Sequence, residues 1–288
     1  MKTFNRRQAI KTVAGAAAIV STTGFTNEAE RQHALKLKGN INHSVCKWCY
    51  RDYSVAELAA EAVKMGIKSV EIIGPEDFNT VKEYGLVCAM ANGPGSIENN
   101  VNRVENHERL IPAYKERAGV VADAGFKNLI IFSGNRDGMD DEEGLENCAK
   151  AIKEIVLECE KKGVMLIMEL LNSKVNHKDY MCDTTAWGVK LVDAVGSDNF
   201  KLLYDIYHMQ IMEGDVIRTI RDYGDYFGHY HTGGNPGRNE IDETQELYYP
   251  AIMQAIVESG YTGFVGQEFI PVRDPMQSLR QAIAICDV

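Results

Sequence analysis

The sequence lacks the marks of several large classes of protein. It has no excess of positive charge: 31 Lys and Arg stand against 41 Asp and Glu, a formal charge of -10. A nucleic-acid surface relies on a net or local excess of Lys and Arg, so no nucleic-acid partner is expected. No apolar stretch in the chain approaches the roughly 20 residues needed to cross a bilayer, so no integral membrane span is expected either. The seven cysteines, an odd number scattered from Cys46 to Cys286, give no disulfide framework. Cys46 and Cys49 form a CxxC pair, but no second pair exists to complete a zinc site. No GxGxxG follows the first strand-like run, which removes the usual signature of a dinucleotide site. What remains is an ordinary globular composition, 45% hydrophobic and 25% charged over 288 residues, enough for one large α/β domain.

The first residues differ from the rest. "MKTFNRRQAIKTVAGAAAIVSTTG" carries paired arginines, a short Ala/Val/Ile run and then small polar residues. It has the form of a twin-arginine export signal, with Arg6 and Arg7 as the pair and Gln8, Ala9, Ile10 and Lys11 behind them. Residues 1–30 are therefore expected to direct export to the periplasm or beyond; without such a signal the protein would be cytoplasmic. The cysteine pattern agrees, because this route carries proteins already folded in the reducing cytoplasm.

From residue 35 onward, short apolar β-prone runs alternate with longer segments of helical period. The expected strands are 42–46, 69–73, 86–90, 128–132, 164–169, 201–205, 227–231 and 264–268. Expected helices include 55–66, 109–125, 144–163, 184–196 and 248–260, several of them closed by a glycine at the C-terminal cap. Strands and helices in this alternation predict parallel βαβ units closed into a (β/α)8 TIM barrel, a single α/β domain over residues 35–288. An open doubly wound sheet is the competing architecture, and the missing glycine fingerprint counts against it.

A barrel of this kind builds its active site from the C-terminal ends of its strands. Here the last four runs end in Glu169, Asp205, His231 and Glu268. Each lies about one βα unit from the next, so the four side chains should converge. Three carboxylates and one imidazole make a hard, mostly oxygen donor set, suited to Mn²⁺ or Mg²⁺, with Co²⁺ or Zn²⁺ able to substitute. His208, three residues past Asp205, is placed to contact a substrate. His229 precedes His231 by two residues, points to the same side of its strand, and so sits deeper. The glycine-rich turn after His231 can bring Arg238 back over the site, where a guanidinium could hold a substrate carboxylate or hydroxyls by forked hydrogen bonds. Trp48, Tyr50, Arg51, Glu71 and Asn92 fall where the first three runs would shape a substrate pocket, with Trp48 and Asn92 as candidates for substrate contact.

At these residues the sequence resembles the xylose isomerase-like barrels, and within them the hydroxypyruvate isomerase group. The marks are "KWCY", "ELLNSKVNHKDYMCD", "LLYDIYHMQIMEGD", "HYHTGGNPGRNEID" and "GQEFIP". The resemblance implies a divalent metal held by Glu169, Asp205, His231 and Glu268, with His208 and Arg238 on the substrate. Some hydroxypyruvate isomerases carry Gln where this chain has His231, and the histidine matches the pattern of ketose 3-epimerases. For such a ligand set the expected chemistry is removal and return of a proton on an α-hydroxy-carbonyl compound through an enediolate, with Glu169 and Glu268 as the bases. One carboxylate serving two neighbouring carbons gives aldose–ketose isomerisation. Two acting on opposite faces of one carbon give epimerisation, so a ketose 3-epimerase on a free sugar or sugar acid is the alternative. The expected partner is thus a small sugar or hydroxy-keto acid, and a homo-oligomer is neither required nor excluded. Abasic-site endonucleases share the barrel but need more histidines and a basic groove. A non-catalytic sugar-binding relative would be expected to have lost a ligand.

Overall fold

Apolar runs with little polar alternation are what strands buried on both faces of a parallel sheet require. In the computed structural model, which describes residues 35–288, these runs form seven strands. They are β1 (Asn42–Cys46), β2 (Ser69–Glu71), β3 (Asn128–Ile131), β4 (Met165–Glu169), β5 (Phe200–Asp205), β6 (Phe227–Thr232) and β7 (Phe264–Gln267). The sheet is parallel throughout, in the order β2-β1-β7-β6-β5-β4-β3. The segment read as an export signal, residues 1–30, lies outside the described residues.

The expectation of eight strands needs one correction. Residues 86–90 form no regular strand, yet the chain there closes the sheet. Single bridges join Val87 to Ser69, Ala91 to Ile73 and Ala91 to Leu129. Ile72 N donates to Met90 O at 2.8 Å on one side, and Ile130 N donates to Ala91 O at 3.0 Å on the other. The ladder is interrupted because side chains take the middle bonds. Ala89 N donates to Ser69 Oγ at 2.8 Å, and Asn128 Nδ2 donates to Ala89 O at 2.8 Å. Side-chain partners satisfy the buried backbone as well as a ladder would, but without its regularity.

The helices are α1 (Val55–Met65), α2 (Phe78–Glu83), α3 (His107–Asp123), α4 (Asp141–Lys162), α5 (Thr185–Val195), α6 (Ile206–Met212), α7 (Val216–Tyr223), α8 (Tyr249–Glu258) and α9 (Pro275–Cys286). All five expected helices are present; α2, α6, α7 and α9 are additions. Local chemistry sets their ends. Ser54 and Glu57 form a reciprocal capping box at the start of α1, and Gly66 ends it at φ 79, a conformation that favours glycine. Helices and the outward faces of the strands share one large apolar core. The inward faces make a second, separate cluster of Met90, Ile130, Ile167 and Leu203. This layer fills the barrel interior, as packed side chains do in a barrel of eight positions. Two residues further along the same faces come Phe132, Glu169 and Asp205, and so the apolar layer is the floor on which the polar residues stand.

Candidate active site

Strand alternation places Glu169 above Ile167 on β4, Asp205 above Leu203 on β5 and His231 above His229 on β6, while Glu268 follows β7 directly. One ligand atom from each of Glu169, Asp205, His231 and Glu268 lies within 4.8 Å of the others, and all four residues are buried. The expected convergence is therefore present. His231 Nδ1 lies 2.7 Å from Glu268 Oε2 and 3.5 Å from Glu169 Oε1. Neither approach has hydrogen-bond geometry, so Nδ1 is a buried nitrogen without a hydrogen-bond partner.

The other side of the imidazole explains this. Glu71, the last residue of β2, offers Oε1 to His231 Nε2 at 2.8 Å and to His229 Nε2 at 2.9 Å. An ionised carboxylate only accepts, so both histidines donate from Nε2, and a neutral His231 then keeps a bare lone pair on Nδ1. Burial works against the charged form of Glu71, but His229 and His231 hold its carboxyl well below the usual range. The cluster is packed so tightly that β7 needs a glycine beside it. A Cβ on Gly266 would lie 2.1 Å from Glu71 Oε1 and 2.8 Å from His231 Cδ2.

Arg238 returns over the site as the turn predicts: Arg238 N donates to Gly234 O at 2.8 Å, and the residue takes a left-handed φ of 58. Its guanidinium lies between the rings of Trp48 and Tyr207, 5.4 and 5.1 Å from their centroids. Nη2 donates to Asp205 Oδ2 at 2.8 Å and also to Glu268 Oε2, Nε donates to Glu268 O at 3.0 Å, and Nη1 donates to His208 Nε2. Trp48 Nε1 donates to Glu268 Oε1 at 2.6 Å, so this tryptophan orients a carboxylate besides walling the pocket. His208 sits in α6, whose start is capped by Asp205: His208 N donates to Asp205 Oδ1 at 3.1 Å.

These environments drive the two glutamates apart. Glu169 is raised above the ordinary carboxyl range by burial and by the charge of Glu268. Glu268 is buried too, but Arg238, His231 and the Trp48 indole together hold it well below that range. Asp205 is pushed up to about 7, with burial as the main cause and the two glutamates adding to it against Arg238. His208 is kept far below its usual value by burial and by Arg238, so it stays neutral. For His231 burial favours the neutral form, yet Cys46, Glu268 and Glu169 beside it outweigh this and raise the imidazole. The ring of carboxylates thus calls for positive charge at the point Nδ1 faces. That demand, the bare nitrogen and the oxygen-rich donor set fit a divalent cation.

A cavity of about 290 Å³ opens over these groups. Trp48, Glu169, His177, His208, Arg238 and Glu268 form its polar lining, and Ile72, Ile97, Ile130, Phe132 and Leu171 complete it. Asn92 is not among the lining residues; its main chain is used, with N donating to Ile73 O at 2.9 Å and O accepting from Arg117 Nη1 at 2.7 Å. His177, its ring 5.2 Å from that of His208, was not singled out by the sequence, and neither was the apolar wall. Glu71 was placed in the pocket region without a role. Its position at the end of a strand, in register with Cys46, was the available signal.

Residues 59–286 match the family described as the xylose isomerase-like TIM barrel. The chain belongs to that family. Hydroxypyruvate isomerase of Escherichia coli is 37% identical over 123 residues, which are 42% of this chain and 46% of that one. The match therefore spans less than half of the relative. Among solved structures, an AP endonuclease, family 2, from Brucella melitensis superposes with a TM-score of 0.76 at 22% identity, over 83% of this chain and 97% of that one. D-psicose 3-epimerase from Clostridium cellulolyticum H10 gives 0.70 at 19%, over 86% and 97%. Both share the fold, and it is the side chains that must distinguish the chemistries.

Proposed function

We propose that the protein is a metal-dependent isomerase of an α-hydroxy-carbonyl substrate, of the hydroxypyruvate isomerase kind. The observation that carries this reading is a pair of buried carboxylates from different strands, Glu169 and Glu268, flanking one bare imidazole nitrogen with opposite protonation tendencies. Glu169, Asp205, His231 and Glu268 would hold the cation, Mn²⁺ or Mg²⁺ by donor type, with Co²⁺ or Zn²⁺ able to replace it. When bound, it supplies the positive charge that stabilises oxyanions forming on the substrate. Glu169, the weaker acid to ionise, is suited to carry a proton from one carbon to the next, while Glu268 is kept ionised by Arg238 and Trp48. His208, neutral and buried, faces the cavity beside Arg238, and Trp48 and Phe132 help to exclude water.

Epimerisation of a ketose is the second reading, favoured by His231 and by the arrival of two carboxylates from different directions. One experiment tests both. Protein reconstituted with Mn²⁺ is given hydroxypyruvate and a panel of free ketoses and aldoses in deuterated water, and products are read by NMR. Deuterium-labelled isomer supports isomerisation, label at an inverted carbon supports epimerisation, and no exchange with metal bound defeats both. Export through the twin-arginine route is proposed from Arg6 and Arg7. Fractionation that found the protein solely in the cytoplasm, its first residues intact, would end that proposal.

A further inference from the structure

We infer that the substrate is neutral, and that the end remote from the reacting carbons is poor in hydroxyls: an α-hydroxy ketone with an apolar or deoxygenated tail rather than a hydroxy-keto acid. This rests on the proposed isomerase or epimerase reading and narrows its substrate class.

The first argument is the supply of positive charge. Arg238 is the one Lys or Arg among the residues lining the cavity. A guanidinium has five N–H groups. Nε uses its own on Glu268 O, Nη2 uses both on Asp205 and Glu268, and Nη1 uses one on His208. A single N–H on Nη1 is left, enough for one hydroxyl or carbonyl oxygen but not for the two parallel bonds of a carboxylate clamp. Stacking between Trp48 and Tyr207 holds the group in place. Arg51 lines a different cavity, while Arg117 donates to Asn92 O at 2.7 Å and Arg136 pairs with Asp141 and Asp183 at 2.7 and 3.1 Å. Of the two ligands expected for Arg238, a carboxylate or hydroxyls, a single remaining N–H suits a neutral oxygen.

The second argument is the apolar wall of the cavity. Ile72, Ile97, Ile130, Phe132 and Leu171 offer no side-chain hydrogen bond. A hydroxyl pressed against them gives up water and gains nothing, whereas a methyl or methylene group is accommodated. The cavity, about 290 Å³, lies near the ~300 Å³ lower bound of small-molecule pockets, so a substrate of sugar size reaches this wall.

The test uses the full chain loaded with Mn²⁺ and follows exchange for deuterium of the hydroxymethyl protons and, for fructose, of the C3 proton as well. Hydroxypyruvate is compared with hydroxyacetone, which has a methyl group in place of the carboxylate, with 1-hydroxyhexan-2-one, which extends the apolar tail, and with fructose, which extends a hydroxylated one. Each rate is divided by the buffer-catalysed exchange of the same compound, to remove intrinsic acidity. Enhancements for hydroxyacetone and 1-hydroxyhexan-2-one at least about tenfold above those for hydroxypyruvate and fructose are expected. Equal or greater enhancement for hydroxypyruvate overturns the inference while leaving isomerase chemistry intact. No exchange on any of the four defeats the underlying reading and this one with it. The variant Ile97→Arg, on the partly exposed rim, should shift the ratio toward hydroxypyruvate by about tenfold, and an unchanged ratio in a folded variant counts against the wall as the selector. Should that variant fail to fold, saturation-transfer NMR on the parent protein loaded with Mg²⁺ gives a second reading. The terminal methyl of 1-hydroxyhexan-2-one should then be the most strongly saturated group, and stronger saturation at its hydroxymethyl end would overturn the placement.

Discussion

Between β6 and β2 the barrel interior holds His229, His231, Glu71 and Cys46, whereas on β3, β4 and β5 the layer beneath Glu169 and Asp205 holds Ile130, Ile167 and Leu203; all of these are buried. In the first region one carboxylate oxygen, Glu71 Oε1, serves two imidazoles and the Cys46 thiol at 2.9, 2.8 and 3.4 Å. Glu71 Oε2, His229 Nδ1 and His231 Nδ1 are left with no partner. Buried polar groups without partners are costly, and natural folds keep few of them outside sites of function. The aliphatic layer itself has no polar side chain to satisfy, and its burial contributes favourable free energy directly. The comparison separates two jobs: the aliphatic side stabilises the barrel, and the polar side holds an arrangement that is unfavourable until something binds it.

The largest test of this division is Glu169→Gln. Glutamine has the same shape, and Glu169 already resists ionisation because of burial and Glu268. The melting curve should therefore change little, while turnover falls by about a thousandfold, within the span of general acid–base catalysis. Activity near that of the parent would remove Glu169 from proton transfer. Next in size is Glu71→Gln, which keeps the side chain's shape and removes the charge behind His231. Carboxylate partners of this kind orient a ligand histidine and raise its basicity, so Mn²⁺ affinity measured by titration calorimetry should weaken about 10- to 100-fold. Unaltered affinity would reduce Glu71 to a packing residue.

How these residues could be read from the sequence depended on the regularity of the backbone. Glu169, Asp205, His231 and Glu268 stand at or beside strand ends where the apolar run stops as the strand stops, so their convergence was legible. Glu71 was not, because Ile72 and Ile73 extend the apolar run past it. The strand ends at Glu71, and Ile72 turns to φ 54, a value rare for a β-branched residue. The run 86–90 misled in a related way: its residues are buried and β-prone, but Ser69 and Asn128 supply side-chain partners where a ladder was expected. Asn92 was placed on the substrate by its position alone, and its main chain is what the fold uses. The wall of Ile97, Phe132 and Leu171 carried no signal, since in sequence an apolar residue facing a cavity looks like one facing the core.

The smallest predicted effect belongs to the aliphatic side and completes the contrast. Ile130 lies in the interior cluster with Met90, Ile167 and Leu203 and also reaches the cavity. Ile130→Val removes one methylene group, for which a loss of about 1 kcal/mol in unfolding free energy is expected from urea denaturation. Mn²⁺ affinity should stay at the parent value, because no ligand or ligand-orienting group touches the deleted atom through a hydrogen bond. A fall in metal affinity comparable to that of Glu71→Gln would show that the two sides are one mechanical unit and that packing beneath Glu169 sets the ligand geometry. Loss of stability alone keeps them separate, one side holding the barrel together and the other held ready for its cation.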